Sequence, residues 1–192
     1  KKNKYPLMYR GMGSNDYFFK QNIRKDRQPK DTPRQVQNYV DEEFKKKFLT
    51  WPGGKGTTHH AFETGLIEHT YSVIKTSLKL ALTTSVQVNI QKLILGAFFH
   101  DLGKIESYDY DGIKINASIV GRLHQHLPLS YYFFRKTLDD INLKNKQEII
   151  EEVGHIVLSH HGKENSPVVP MTIEAKIVSY VDNLDADISH IE

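Results

Sequence analysis

Apolar residues recur at helical spacing along most of this chain. Val36, Val40, Phe44 and Phe48 fall every four residues, with Asp41, Glu42, Glu43, Lys45, Lys46 and Lys47 on the other faces, which predicts an amphipathic helix over about 34–50. The spacing resumes with Leu66, Thr70, Val73, Ile74, Ser77, Leu78 and Ala81, and again with Ile90, Leu93, Ile94, Ala97 and Phe98. Three further helices are predicted around 118–138, 145–160 and 172–188, separated by the polar stretch 142–145 and by 162–170. The one clear β signal is Asp111-Gly112 between Tyr110 and Ile113, a turn pair that closes a short hairpin near 108–115. The predicted fold is therefore all-α, a helical bundle with one small hairpin.

Composition refines this picture in three ways. A chain of 192 residues with 39% hydrophobic content has the size and apolar material of one ordinary domain. Its front, about 1–33, is polar, basic and punctuated by Gly11, Gly13, Pro29 and Pro33, which predicts an arm or linker ahead of a domain over 34–192. There is no cysteine, so disulfides and thiolate metal sites are excluded, and His and carboxylate are the available metal ligands. No apolar run reaches membrane-spanning or signal-peptide length, and the expected setting is cytoplasmic. A formal net charge of +3 and a pI near 8.9 favour polyanionic partners only mildly.

The segment WPGGKGTT at 51–58 is glycine-rich but lacks the Walker spacing and a preceding strand. It reads as a connector between helices. The chemistry lies elsewhere, in an ordered series: His69, His100-Asp101, His126, His160-His161 and Asp182. Neutral imidazole with carboxylate suits zinc, manganese, iron and related divalent ions, and seven such groups exceed what one tetrahedral site takes up. A two-metal centre is the natural reading. Helix neighbours point about 100° apart, so His100 and Asp101 suit a bridging arrangement better than a shared grip on one ion, with Asp101 giving one oxygen to each of two ions.

This ordered pattern resembles the HD-domain metal-dependent phosphohydrolases. The segments HHAFETGLIEHT (59–70), GAFFHDLGKIE (96–106), LSHHG (158–162) and SPVVPMTIEAKIVSYVDNLDA (166–186) are similar to the YhaM-type 3′-to-5′ exoribonuclease branch. The resemblance runs over about 36–187. It implies an HD-domain helical bundle in which His69, His100, Asp101 and Asp182 surround one metal and Asp101, His126, His160 and His161 the other. The ions implied are two divalent metals, Mn²⁺ first, with Fe, Mg, Ni, Co or Zn also compatible. His126 is preferred to His124 in GRLHQHL, and His155 is expected to face away from the ligands.

The implied activity is phosphodiester hydrolysis by metal-activated water, with Asp101 and Lys104 in catalytic roles. The implied substrates are 3′ ends of single-stranded RNA, or of single-stranded DNA, released as nucleoside monophosphates. A small-nucleotide phosphohydrolase and a metal-stabilised binding module are the two competing readings. Substrate contacts are expected from His59 and His60 in the loop before the first ligand helix, and from Lys104, Arg122 and Lys163. Each has a plainer reading beside it, such as a hydrogen-bonded loop anchor for the histidine pair or a helix-end cation for Lys104. Asp185, three residues past Asp182, shares its helix face and is placed to orient a ligand imidazole.

Overall fold

The structure is a computed structural model, and it describes residues 42–56, 58–139 and 141–189. The predicted arm, Val36 and Val40 lie outside those residues. Nine helices and a two-stranded sheet make up the described part: α1 (Glu42–Thr50), α2 (Gly65–Thr83), α3 (Ile90–Phe99), α4 (Lys104–Ser107), β1 (Tyr108–Tyr110), β2 (Ile115–Ala117), α5 (Ile119–His124), α6 (His126–Asp139), α7 (Lys146–Ser159), α8 (Gly162–Asn165) and α9 (Ile173–Ser189). The all-α reading with one small hairpin holds.

Two apolar clusters organise the bundle. Val73 and Ile74 of α2, Leu93 and Ala97 of α3, Ile156 of α7, and Val178 and Val181 of α9 form one. Leu66, Phe99, Phe134 of α6 and Val153 and Val157 of α7 form the other. Phe44 and Phe48 of α1 pack on this second cluster through edge-to-face contacts with Phe133 and Phe98, at centroid distances of 5.5 and 5.6 Å. Local signals fix several helix starts. Asn89 caps α3 by accepting from the Lys92 amide, and Ser118 caps α5 by accepting from the Gly121 amide. Lys92 then ties α3 to α7, with its ammonium 2.5 Å from Glu148 and 2.6 Å from Glu152.

Three predicted features differ in detail. The helix expected over 118–138 is two helices, broken at Gln125, whose φ of 61° belongs to the left-handed side of backbone space. The chain turns there and restarts as α6 at His126. The hairpin is present, but Tyr110 pairs with Ile115, so the loop has four residues rather than two. The Asp111 carboxylate accepts from the amides of Ile113 and Lys114 and holds this wider loop. The separator at 162–170 contains the single turn α8. None of the described helices is long and apolar enough to cross a membrane.

Candidate metal centre

Four of the polar residues that meet at the site lie in or just past a helix, one turn after a core aliphatic. His69 follows Leu66 by three residues, His100 follows Ala97, His160 follows Val157, and Asp182 follows Val178 by four. The stripe that buries the aliphatics therefore buries these four residues as well. His69, His100, Asp101 and His160 have no exposed surface, and Asp182 is 4% exposed.

Burial at that depth makes every polar atom answerable for a partner. At the C-terminal ends of α3 and α7, where the last carbonyls of a helix lack intrahelical donors, the same device appears twice. The Nδ1–H of His100 donates to the Ala97 carbonyl and that of His160 to the Val157 carbonyl, both at 2.7 Å. The Nδ1–H of His69 donates to Asp185 at 2.7 Å. In the neutral ring each bond leaves the Nε2 lone pair turned inward. As a result Nε2 of His69 and Nε2 of His100 stand 3.1 Å apart, an approach that needs a cation or a proton between them. On the other side, Nε2 of His126 lies 2.8 Å from Nε2 of His161.

Asp101 lies between these two pairs. Its Oδ2 is 3.2 Å from His69 and 3.4 Å from His100, while its Oδ1 is 3.4 Å from His126 and 3.6 Å from His160. Neither oxygen accepts a well-formed hydrogen bond, and His160 Nε2 is likewise buried without a partner among the described residues. The ligand atoms gather into two groups, His69, His100, Asp101 and Asp182, and Asp101, His126, His160 and His161, with Asp101 common to both. His100 and Asp101 reach the same group because the doublet lies just past the end of α3, in the turn before α4, where helical angular spacing no longer applies. A third cluster, His60, His69 and Asp185, is an outer layer, since the His69 nitrogen it uses already donates to Asp185.

The electrostatics match a site for positive charge. Burial alone would raise the Asp101 pKa, but the Lys104 ammonium and the His100 imidazole hold it well below the usual carboxylate range. Burial opposes a charged His69, yet Asp101, Asp182 and Asp185 around it hold its pKa well above the ordinary histidine value. Burial, reinforced by His161, lowers His160 to about 4, so that imidazole is a free base at neutral pH. A divalent ion fits this donor set: two ionised carboxylates, convergent imidazole nitrogens, and a buried Asp101 whose two oxygens face different histidines.

A family model described as the HD domain matches residues 66–187. The chain belongs to the HD-domain family. Among curated relatives, the "3′-5′ exoribonuclease YhaM" of Geobacillus sp. (strain WCH70) is 30% identical over 162 residues, 83% of this chain and 48% of its own length. Proteins of the same name from Bacillus licheniformis and Bacillus subtilis are 28% and 27% identical over 162 residues, each covering 83% of this chain and 50% of their own. The chain spans about half the length of these relatives. No solved structure gives a significant match.

Within the HD domain the remaining candidates are placed as follows. Lys104 is buried, and its ammonium lies 2.5 Å from Asp101 Oδ2, so it is the partner of that carboxylate rather than a helix-end cation. His60 Nε2–H donates to Asp185 Oδ2, 2.8 Å away, and so anchors the 51–64 loop. His59 packs its ring 5.4 Å from that of His69, and burial, with Lys104 next, lowers its pKa to about 4. Arg122 is exposed and donates to the Ala117 carbonyl at 2.5 Å, and Lys163 is exposed on α8, so neither joins the clustered residues. His124 is exposed and outside both groups, whereas His126 is in one. His155 accepts from the Met171 amide at 2.9 Å and fastens the segment before α9.

The sequence reading missed one contributor. Gly103 packs against the start of α6, where an added Cβ would meet the His126 carbonyl oxygen at 2.2 Å and the Ser130 amide at 2.5 Å. Its own amide donates to Ser130 Oγ at 2.8 Å. Only a residue without a side chain lets α6 come close enough to bring His126 to Asp101. The signal was the glycine in HDLGK, two residues past Asp101.

Proposed function

We propose that residues 34–192 are the hydrolytic domain of a metal-dependent 3′-to-5′ exoribonuclease acting in the cytoplasm, holding two divalent ions, manganese first. One ion would be held by His69, His100, Asp101 and Asp182, the other by Asp101, His126, His160 and His161. The observation that carries this reading is the divided facing of Asp101, whose two fully buried oxygens address different histidine sets, with the Lys104 ammonium beside Oδ2. The names of the curated relatives supply the polymer and the direction of attack.

When bound, paired divalent ions supply an activated water and charge stabilisation for displacement at phosphorus. The protein's part is orientation and charge. The Ala97 and Val157 carbonyls and the Asp185 carboxylate fix three imidazoles as inward-facing donors. Lys104 sets the charge on Asp101, since the pair, buried together, keeps that carboxylate ionised. His59, at the edge of this layer and neutral at pH 7, adds no charge against a phosphate group.

The test is a Mn²⁺-supplemented digestion of 5′-labelled single-stranded RNA, run beside single-stranded DNA and a panel of nucleoside monophosphates and cyclic nucleotides. The expected result is a ladder shortening from the 3′ end, lost in EDTA and in Asp101→Ala, with about two metal ions per chain by elemental analysis. Inert RNA with phosphate released from the small esters would overturn the exoribonuclease reading in favour of a small-nucleotide phosphohydrolase.

A further inference from the structure

The fold leaves a recess of about 320 Å³ between the end of α1, the short helix α4 and the hairpin. Trp51, Tyr108 and Tyr110 line it, with Lys47 and Lys114 among the charged residues at its walls. The Trp51 and Tyr110 rings meet edge to face, 5.8 Å between centroids and 84° between planes. The Lys47 ammonium lies 5.5 Å from the indole centroid. The indole Nε1–H of Trp51 is buried and has no acceptor among the described residues, so the indole meets the recess through its carbon surface and not through this donor.

Two features narrow the ligand. Flat aromatic walls favour a flat ring, because stacking on Trp or Tyr accepts any base through its π-face. Glu106, Asp109 and Asp111 also line the recess and outnumber its two lysines, so a phosphate group gains nothing there. The recess is one step from the chemistry: α4 begins at Lys104, which sits on Asp101, and continues through Ile105 and Glu106, which line the recess.

We propose that the recess bounded by Trp51, Tyr108 and Tyr110 is a nucleobase subsite, which seats a base of a single-stranded substrate while its phosphodiester reaches the metal centre. The inference deepens the nucleotide reading above and rests on it. Tyr110 offers the ring face for stacking, and Trp51, meeting it edge to face, holds that ring in place.

Trp51 is the only tryptophan of the chain, so intrinsic fluorescence reports on this recess alone. The full chain in EDTA, where hydrolysis is silent, is titrated with adenosine 5′-monophosphate, a short single-stranded oligoadenylate, ribose 5-phosphate and inorganic phosphate. The expected result is a saturable fluorescence change with the two adenine ligands and none with the two that lack a base. Tyr110→Ala should weaken both adenine ligands roughly tenfold, the lower part of the range for one base–aromatic stack. Tyr110→Leu, which keeps apolar volume while removing the ring face, should do the same and covers the case in which the alanine variant fails to fold. No response to the adenine ligands, an equal response to ribose 5-phosphate, or unchanged affinity in a folded Tyr110 variant overturns the subsite. RNA shortening by the Mn²⁺-loaded protein without a fluorescence response removes the subsite alone. A response without any shortening retains the subsite and removes the exoribonuclease reading.

Discussion

Replacing Asp185 by alanine should weaken metal binding without touching a ligand. Asp185 Oδ2 accepts from His69 Nδ1 at 2.7 Å and faces His60 Nε2 at 2.8 Å, while Oδ1 accepts from Ser72 Oγ. Removing the carboxylate affects these three partners unequally. His60 and Ser72 are half-buried and can turn to water, but His69 has no exposed surface, so its Nδ1–H is left buried and unsatisfied. That desolvation loss is worth about 1–3 kcal/mol in folding stability. Losing the group that fixes a ligand imidazole typically lowers metal affinity about 10- to 100-fold. Isothermal titration of the chelator-treated protein with Mn²⁺ measures the affinity, and urea denaturation the stability. Asp185→Asn separates orientation from charge: its carbonyl can take over both histidines while its amide donates to Ser72, so the hydrogen bonds survive and the charge does not. Full recovery in the asparagine variant assigns the effect to orientation. Unchanged Mn²⁺ affinity in Asp185→Ala would refute the reasoning that this carboxylate sets the His69 tautomer.

Other substitutions test other parts of the architecture. Gly103→Ala puts a methyl group against two backbone atoms of α6, which should destabilise the fold by about 1–3 kcal/mol by overpacking and reduce metal bound per chain, read by urea denaturation and elemental analysis. Phe134→Ala empties a site with no exposed surface next to Phe99 and should lose about 3–5 kcal/mol, checked by the same denaturation curves. Lys92→Met should lose no more than about 1 kcal/mol, since its glutamate partners are substantially exposed. Glu148 and Glu152 raise the Lys92 pKa above its unfolded value, so the stability it adds is present below about pH 10 and fades as pH rises through the folded pKa. The melting-temperature gap between wild type and Lys92→Met should therefore be constant near neutrality and close at alkaline pH, and a gap that widens there would contradict this sign.

Part of the clustered set was legible because His69, His100, His160 and Asp182 each follow a buried aliphatic by three or four residues, so that periodicity and residue type together flagged them. The hairpin was legible from Asp111-Gly112, although the four-residue loop depends on two hydrogen bonds to the Asp111 side chain that residue type alone does not specify. The break at Gln125 was hidden for a definite reason. Ile119, Leu123 and Leu127 continue a spacing of four straight across it, yet Ile119 and Leu123 are 67% and 74% exposed and only Leu127 joins the interior. An apolar repeat does not say which of its members is buried. Gly103 was opaque in another way, because its role depends on how closely α6 and the 100–103 turn approach, a tertiary distance that no local pattern encodes.

The carbonyls of Ala97 and Val157 divide the work of two residues between different atoms. Their side chains fill the core, where mutational drift exchanges one aliphatic group for another, while their backbone oxygens hold the protons of His100 and His160. Substitution at either position rewrites the packing and leaves the proton inventory unchanged. A lineage carrying this device can retune its interior for temperature or expression with its chemistry insulated from the change.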